Sequence, residues 1–274
     1  MENKKAKRLF GIGILLYLFI IVFPFIWVFL TSLKPESEIW GESALKLFAN
    51  QPTFEHYQAL FRGNILNALK NSLIISTITT VYVTLVASAA AYAIARLKFW
   101  GKRVLLAVVL ATSMFPQMIV VGPIYRVFVK LNWTNSFFIV LPYSMITLPV
   151  AIYILVTHFS KVPKEMEESA KIDGASKMKT FVKIIFPLAL PGIFTSAIIT
   201  FIGVWNEFLL SLTLNSNSSY HTAPVAISYL RGQFQIFWGQ VTAATVLVTI
   251  PTLFIVILFQ KQIISGLTSG AVKE

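Results

Sequence analysis

Apolar positions in this chain run continuously rather than alternating with polar ones. Six stretches contain no Asp, Glu, Lys or Arg: residues 9–33, 71–95, 104–125, 131–160, 184–206 and 232–260. A helix rises about 1.5 Å per residue, so roughly 20 residues cross about 30 Å of hydrocarbon. All six are long enough. A spanning barrel would instead alternate apolar and polar residues in segments of about ten. The pattern therefore predicts an all-α integral membrane protein with six transmembrane helices. A seventh uncharged stretch, 208–230, is broken by Asn215-Ser216-Asn217-Ser218-Ser219-Tyr220-His221 and reads as an outer loop. The first stretch follows Lys4, Lys5, Lys7 and Arg8 as a signal peptide would. It is too long for an h-region, however, and ends on Thr31-Ser32-Leu33 without a small-x-small cleavage site, so it reads as a retained helix.

Charge sharpens this picture. Of 274 residues, 56% are hydrophobic and only 12% charged, with 23 Lys plus Arg against 11 Asp plus Glu, a formal net charge of +12. A disordered chain would be charge-rich and poor in Phe, and this one holds 23 Phe. The basic surplus could signal nucleic acid, but no soluble basic domain is present. If both termini lie in the cytoplasm, 16 of the 23 basic residues fall in cytoplasmic segments, as the positive-inside rule expects. Trp27, Trp40, Trp133, Trp205 and Trp238 then fall near outer span ends and Trp100 near an inner one, which suits interfacial anchors.

Several chemistries are excluded. There are no cysteines, hence no disulfides and no thiolate metal sites. The three histidines, His56, His158 and His221, show no paired ligand spacing, and no metal ligand set is expected. No phosphate-binding P-loop and no nucleophile elbow occur. Glu207 is the one acid in a predicted span, too little for an ion or proton relay or for paired catalytic groups. The chain reads as a non-enzyme, and uphill transport would draw its energy from another chain.

Residues 161–183 hold ten of the 34 charges, in a loop predicted to be cytoplasmic and long for a helix connector. Pro163, followed by Lys-Glu-Met-Glu-Glu, predicts a helix start, because proline suits the first turn and acids complement the positive dipole end. Met166, Ala170 and Ile172 supply its apolar contacts. Asp173-Gly174 predicts its stop, since glycine accepts the left-handed conformation. Pro187 and Pro191 mark re-entry into the membrane. These residues alone fit a loop lying on lipid headgroups or a docking helix equally well.

Glu168-Ser169-Ala170, three residues, Gly174, nine residues and Ile184-Ile185-Phe186-Pro187 resemble the E-A-A-x₃-G-x₉-I-x-L-P loop of the membrane subunits of bacterial ABC importers. Ser169 replaces the first Ala and Phe186 the Leu, both with size or apolarity roughly kept. Further motifs resemble the carbohydrate-importer permeases, of the maltose-transporter G-subunit type. They are Thr31-Ser32-Leu33-Lys34-Pro35, Asn71-Ser72-Leu73-Ile74, Ala91-Tyr92-Ala93-Ile94-Ala95-Arg96 and Trp205-Asn206-Glu207-Phe208. The tail Ser265-Gly266-Leu267-Thr268-Ser269-Gly270-Ala271-Val272-Lys273 is the last of them.

The resemblance implies a single transmembrane permease domain over 1–274, with a core of roughly 65–264 and a cytoplasmic coupling loop at 161–183. It implies a multi-pass protein of the bacterial inner membrane that binds no cofactor itself. Its partners would be a cytoplasmic ABC ATPase dimer that binds ATP, a second permease subunit and an extracytoplasmic solute-binding protein that delivers a sugar. Helix 164–173 would be the coupling helix, with Glu168 the polar and Ala170 the close-packed contact to the ATPase. Ser169 would lie between them, Asp173 and Gly174 would form the turn, and Pro187 would fix the angle into span five. Trp205, Asn206 and Glu207 offer the aromatic and hydrogen-bonding groups of a sugar path, but fit better an interfacial anchor or a helix–helix hydrogen bond to the second permease subunit. Asn71, Ser72, Ser76, Thr77 and Thr80 could line a path or join helices. The polar segment 35–62 is expected to face the solute-binding protein. Alternatives are an importer of another solute class, such as amino acids or polyamines, an ion-coupled secondary transporter, and an intramembrane enzyme.

Overall fold

The computed structural model describes residues 4–232 and 236–268, and among these the regular structure is helical, apart from one isolated bridge between Arg231 and Ile236. The helices are α1 (Lys4–Thr31), α2 (Glu36–Trp40), α3 (Glu55–Arg62), α4 (Ile65–Arg96), α5 (Lys102–Thr112), α6 (Gln117–Leu131) and α7 (Val140–Lys161). They continue as α8 (Glu165–Ile172), α9 (Lys177–Thr180), α10 (Phe186–Leu188), α11 (Leu190–Trp205), α12 (Leu209–Leu214), α13 (Ala223–Ser228) and α14 (Trp238–Thr268). Ser269 to Lys273 of the tail motif lie outside the described residues.

Four helical stretches are long and apolar enough to cross a membrane: Phe10–Thr31, Ile65–Arg96, Phe137–Lys161 and Trp238–Ile263, the last kinked at Phe259 (φ −111°, ψ 16°). The other two expected spans are broken. Lys102–Thr112 and Gln117–Leu131 meet at 89°, and Lys177–Leu188 and Leu190–Trp205 at 77°. A count of six follows only if each bent pair is one span. The breaks have local causes. Pro116 has no N–H and sits extended (φ −61°, ψ 125°) ahead of α6. Pro191 lies just after Ala189, whose ψ of 5° leaves the helical range. Pro24, Pro123, Pro149 and Pro251 are instead accommodated within helices.

The chain divides into two compact units. The first comprises Met1–Leu66 and Ala226–Ile250. In its long helix, α1, no residue of the span Phe10–Thr31 is buried and most are exposed, so its apolar surface is left for lipid. After α1 the chain closes on Lys34, which is 1% exposed. Its ammonium donates to the carbonyls of Ala44 (3.0 Å) and Lys46 (2.6 Å) and lies 5.2 Å from the Trp27 ring centroid. Glu38 accepts the backbone N–H groups of Asn50 (2.9 Å) and Gln51 (3.3 Å), and Glu36 accepts that of Gly239 (3.2 Å). His56 Nε2 donates to the Lys34 carbonyl at 2.8 Å, because a carbonyl can only accept.

The second unit comprises Asn67–Val225 and Pro251–Glu274. α7 packs along α11, and both face α4. Val83, Ala87 and Ala91 of α4 meet Ala151, Leu155 and Phe159 of α7 and Ile185, Ala189 and Ile193 of the α10–α11 region. Alanines at these positions let helix backbones approach closely. A second cluster joins Ile75, Phe128, Ile139, Tyr143, Val204, Leu210 and Leu214. At the Asn71 end of α4 a hydrogen-bond mesh ties the helix to the loop 215–222. Asn71 Nδ2 donates to the carbonyls of Ser219 (2.8 Å) and His221 (3.0 Å), and Ser72 Oγ accepts the N–H of Ala223 (2.8 Å). Asn71 and Ser72 therefore join segments. Ser76 is buried too, Thr80 is half-buried, and Thr77 is exposed.

Candidate functional site

The charged loop folds as the sequence anticipates. Pro163 precedes α8, whose first turn carries Glu165, Glu167 and Glu168 against the positive end of its dipole. α8 ends in a hydrogen-bond pattern that requires a left-handed residue. Gly174 takes φ +74°, its N–H bonds to the Lys171 carbonyl (3.0 Å), and the Ala175 N–H reaches the Ala170 carbonyl (2.9 Å). Ser176 then caps α9 by accepting the Lys179 N–H (3.3 Å).

The helix presents two faces. Glu168, Ser169, Asp173 and Gly174 are exposed, together with the apolar Met166 (43%) and Ile172 (87%). Ala170 turns inward at 4% exposure, so its close packing is made within this chain and seats α8. Glu167, one turn before Ala170, shares that inner face. Its Oε1 lies 3.1 Å from Nε of Arg96, the last residue of α4, and the Arg96 guanidinium also donates to the Val162 carbonyl. The two charged side chains are 16% and 4% exposed.

The far end of the loop is also anchored. Phe181 opens a π-helical turn, Phe181–Ile185, and its ring lies 4.7 Å from that of Tyr92 and 6.2 Å from that of Phe159. π-Helical turns recur at functional sites because they displace a side chain from the regular repeat. Pro187 is exposed within α10, and the bend follows two residues later at Ala189. A cleft of about 320 Å³ opens beside α8, lined by Tyr92, Arg96, Lys98, Glu167, Lys171 and Lys177 among others.

The three residues expected along a solute path are treated differently by the fold. Trp205 is 2% exposed and stacks on Phe201, with ring centroids 5.8 Å apart. Glu207 is 8% exposed, and its carboxylate accepts the N–H groups of Leu210 (2.8 Å) and Ser211 (3.3 Å) at the start of α12. Asn206 alone of the three is exposed, its amide donating to the Ile202 carbonyl (2.9 Å). A cavity of about 320 Å³ lies elsewhere, at the break between α5 and α6. It is lined by Thr112, Ser113, Phe115, Gln117, Val120, Met145 and Ile146. Irregular backbone at membrane depth persists only where protein covers it or water reaches it. Pro116 was the one sequence signal for this break, and it gave no hint of the cavity. No group of three or more His, Cys, Asp and Glu that could hold a metal occurs among the described residues.

Several helices long and apolar enough to cross a membrane, with a charged helix between two of them, mark a multi-pass membrane protein. Residues 83–269 match the family described as binding-protein-dependent transport system inner membrane component, and the chain belongs to it. It is 38% identical to the trehalose/maltose transport system permease protein MalG of Thermococcus litoralis, an alignment covering 100% of this chain and 99% of that protein. It is 41% identical to the trehalose transport system permease protein SugB of Mycobacterium tuberculosis, over 91% of this chain and 92% of the relative. In fold it is similar to a chain of a bacterial ABC transporter involved in the import of the acidic polysaccharide alginate. The TM-score is 0.78 at 19% identity, with 95% of this chain and 99% of that chain covered.

Proposed function

We propose that this chain is the permease subunit of an ATP-driven importer for a sugar or oligosaccharide. Two trehalose permeases at 38% and 41% identity over nearly the whole chain support the substrate class. The observation that carries the mechanism is α8, a short rigid helix with Glu168, Ser169 and Ile172 exposed and Ala170 tucked inward. In this reading the chain crosses the membrane six times, each bent pair counting once, with both termini in the cytoplasm. The whole chain is one permease domain with its core at 65–264, and the loop 161–183 faces the cytoplasm.

α8 docks in a cleft on a cytoplasmic ATPase subunit, Glu168 making the polar contact and Asp173 and Gly174 shaping the turn. The partner subunits bind and hydrolyse ATP. Their closure moves α8, and the movement rocks the spans against a second permease subunit. A solute-binding protein on the other side delivers the sugar near 35–62. Asn206, held between buried Trp205 and Glu207, offers an amide to the path. The cavity at the α5–α6 break adds the Thr112 and Ser113 hydroxyls and the Gln117 amide over an apolar floor, a mixture that suits a sugar.

Co-expression with a candidate ATPase and a second permease, followed by uptake assays in proteoliposomes supplied with a candidate solute-binding protein, tests this reading. The complex should import a radiolabelled disaccharide such as trehalose and lose import on Gly174→Pro. Failure of a P-loop ATPase to co-purify, together with intact uptake in Gly174→Pro, would overturn it. Import of an amino acid or polyamine in place of sugars would move the chain to another solute class.

A further inference from the structure

The loop 161–183 could be tied to the membrane helices only through its own chain ends. It is not. Arg96 closes α4, Val162 follows the end of α7, and Glu167 stands in the first turn of α8. One guanidinium holds all three, through the bond to the Val162 carbonyl and the 3.1 Å ion pair with Glu167. Arginine suits this junction because its wide, planar guanidinium can donate to the Val162 carbonyl with one nitrogen while its charge faces the Glu167 carboxylate at another, whereas a lysine presents a single point charge. The pair is largely buried, and a charge pair that water screens little resists displacement more than an exposed one.

We propose that Arg96 is a positioning residue for transport. It locks α8 to the ends of α4 and α7, so that these helices move as one body when α8 is displaced. This inference rests on the reading of α8 as the coupling helix. Small shifts are transmitted across a protein when the elements carrying them are rigid and discretely packed. A coupling helix hinged only at Val162 and Gly174 would swing without moving the spans. Arg96 removes that freedom at the Val162 hinge, and Phe181, seated against Tyr92 and Phe159, removes it at the other end.

Two measurements on the assembled complex test the proposal. In proteoliposomes, Arg96→Gln should leave ATPase co-purification and ATP hydrolysis near the unaltered level. Solute imported per ATP should fall by at least about tenfold, the factor that a loss of roughly 1.4 kcal/mol in positioning free energy produces. Glu167→Gln should do the same, and Arg96→Lys should fall between. Unchanged import per ATP in Arg96→Gln would overturn the proposal.

The second measurement does not depend on a disruptive variant. The chain has no cysteine, so spin labels can be placed at Lys98→Cys and Lys171→Cys, which line the same cleft on α4's exit and on α8. The distance between the labels should be narrowly distributed and the same with and without ATP. A distance that broadens or shifts through the ATP cycle would show a free joint and overturn the proposal. If no ATPase joins even the unaltered chain, it is the coupling-helix reading that fails. The label distance, compared between the unaltered chain and Arg96→Gln, still reports whether Arg96 fixes the joint.

Discussion

The imidazole of His158 in α7 lies so close over Gly192 in α11 that a Cβ built on the glycine would fall 2.2 Å from the His158 Cγ. The two helices touch there through a ring and a bare backbone. Gly192→Ala is expected to destabilise the protein by about 1–3 kcal/mol, the usual cost of overpacking a tight contact. The gain in helix propensity from alanine is smaller than this. Thermal unfolding of the detergent-solubilised protein should show a lowered Tm. The double variant Gly192→Ala with His158→Ala should recover only part of it, because the Cβ of residue 158 stays and itself lies 2.6 Å from the added methyl.

Lys34 gives the second prediction. Its buried ammonium satisfies two carbonyls at once, those of Ala44 and Lys46. Lys34→Met keeps the length of the side chain and removes the donor. The variant should lose about 1–3 kcal/mol, the cost of unsatisfied buried polar groups. The loosening is local, so limited proteolysis should cut within residues 40–52 faster than in the unaltered protein. Equal cutting rates would show that the carbonyls find other donors.

Glu207 separates two roles by experiment. Its carboxylate accepts two N–H groups at the start of α12, where negative charge also meets the positive end of the helix dipole. Glu207→Ala should cost about 1–2 kcal/mol, as the loss of a helix cap does. Tm and transport should fall together. A loss of transport at unchanged Tm would place the carboxylate on the solute instead.

Gly174 is constrained by its backbone and not by its neighbours. It takes φ +74°, and nothing lies within 4 Å of a Cβ added there. Gly174→Ala should therefore cost only the left-handed penalty of about 1–2 kcal/mol. Gly174→Asn should be better tolerated, because asparagine visits this region more readily. Fraying of α8 should lower import in the alanine variant more than in the asparagine one.

Much of the fold was legible in the sequence because its causes are local. The absence of charge over 71–95 predicts a helix that must satisfy its own backbone, and α4 extends through it from Ile65 to Arg96. Asp173-Gly174 predicts a helix stop, and Gly174 adopts the required left-handed turn. The breaks in the third and fifth stretches were less legible. Pro116 and Pro191 mark them, but Pro149 and Pro251 look the same in sequence and leave their helices unbroken. Whether a proline breaks a helix depends on which neighbours take up the freed carbonyl, and these are distant in the chain.

The candidate site divides in the same way. Glu168, Ser169, Asp173 and Gly174 stand on an exposed helix, as the charged pattern of 161–183 suggests. Glu167 looked like one more surface acid, and Arg96 like one more basic residue at a span end. Glu207 read as a lone acid for either an anchor, a helix–helix contact or a sugar path, and its own chain occupies both oxygens. The sequence alone determined which segments are apolar enough for a membrane and where the charged helix begins and ends. Burial in hydrocarbon and backbone conformation are properties of short stretches. Only the tertiary structure decided that Arg96 meets Glu167 and that His158 rests on Gly192. Such pairings depend on how helices from distant parts of the chain pack, and no local pattern encodes that geometry.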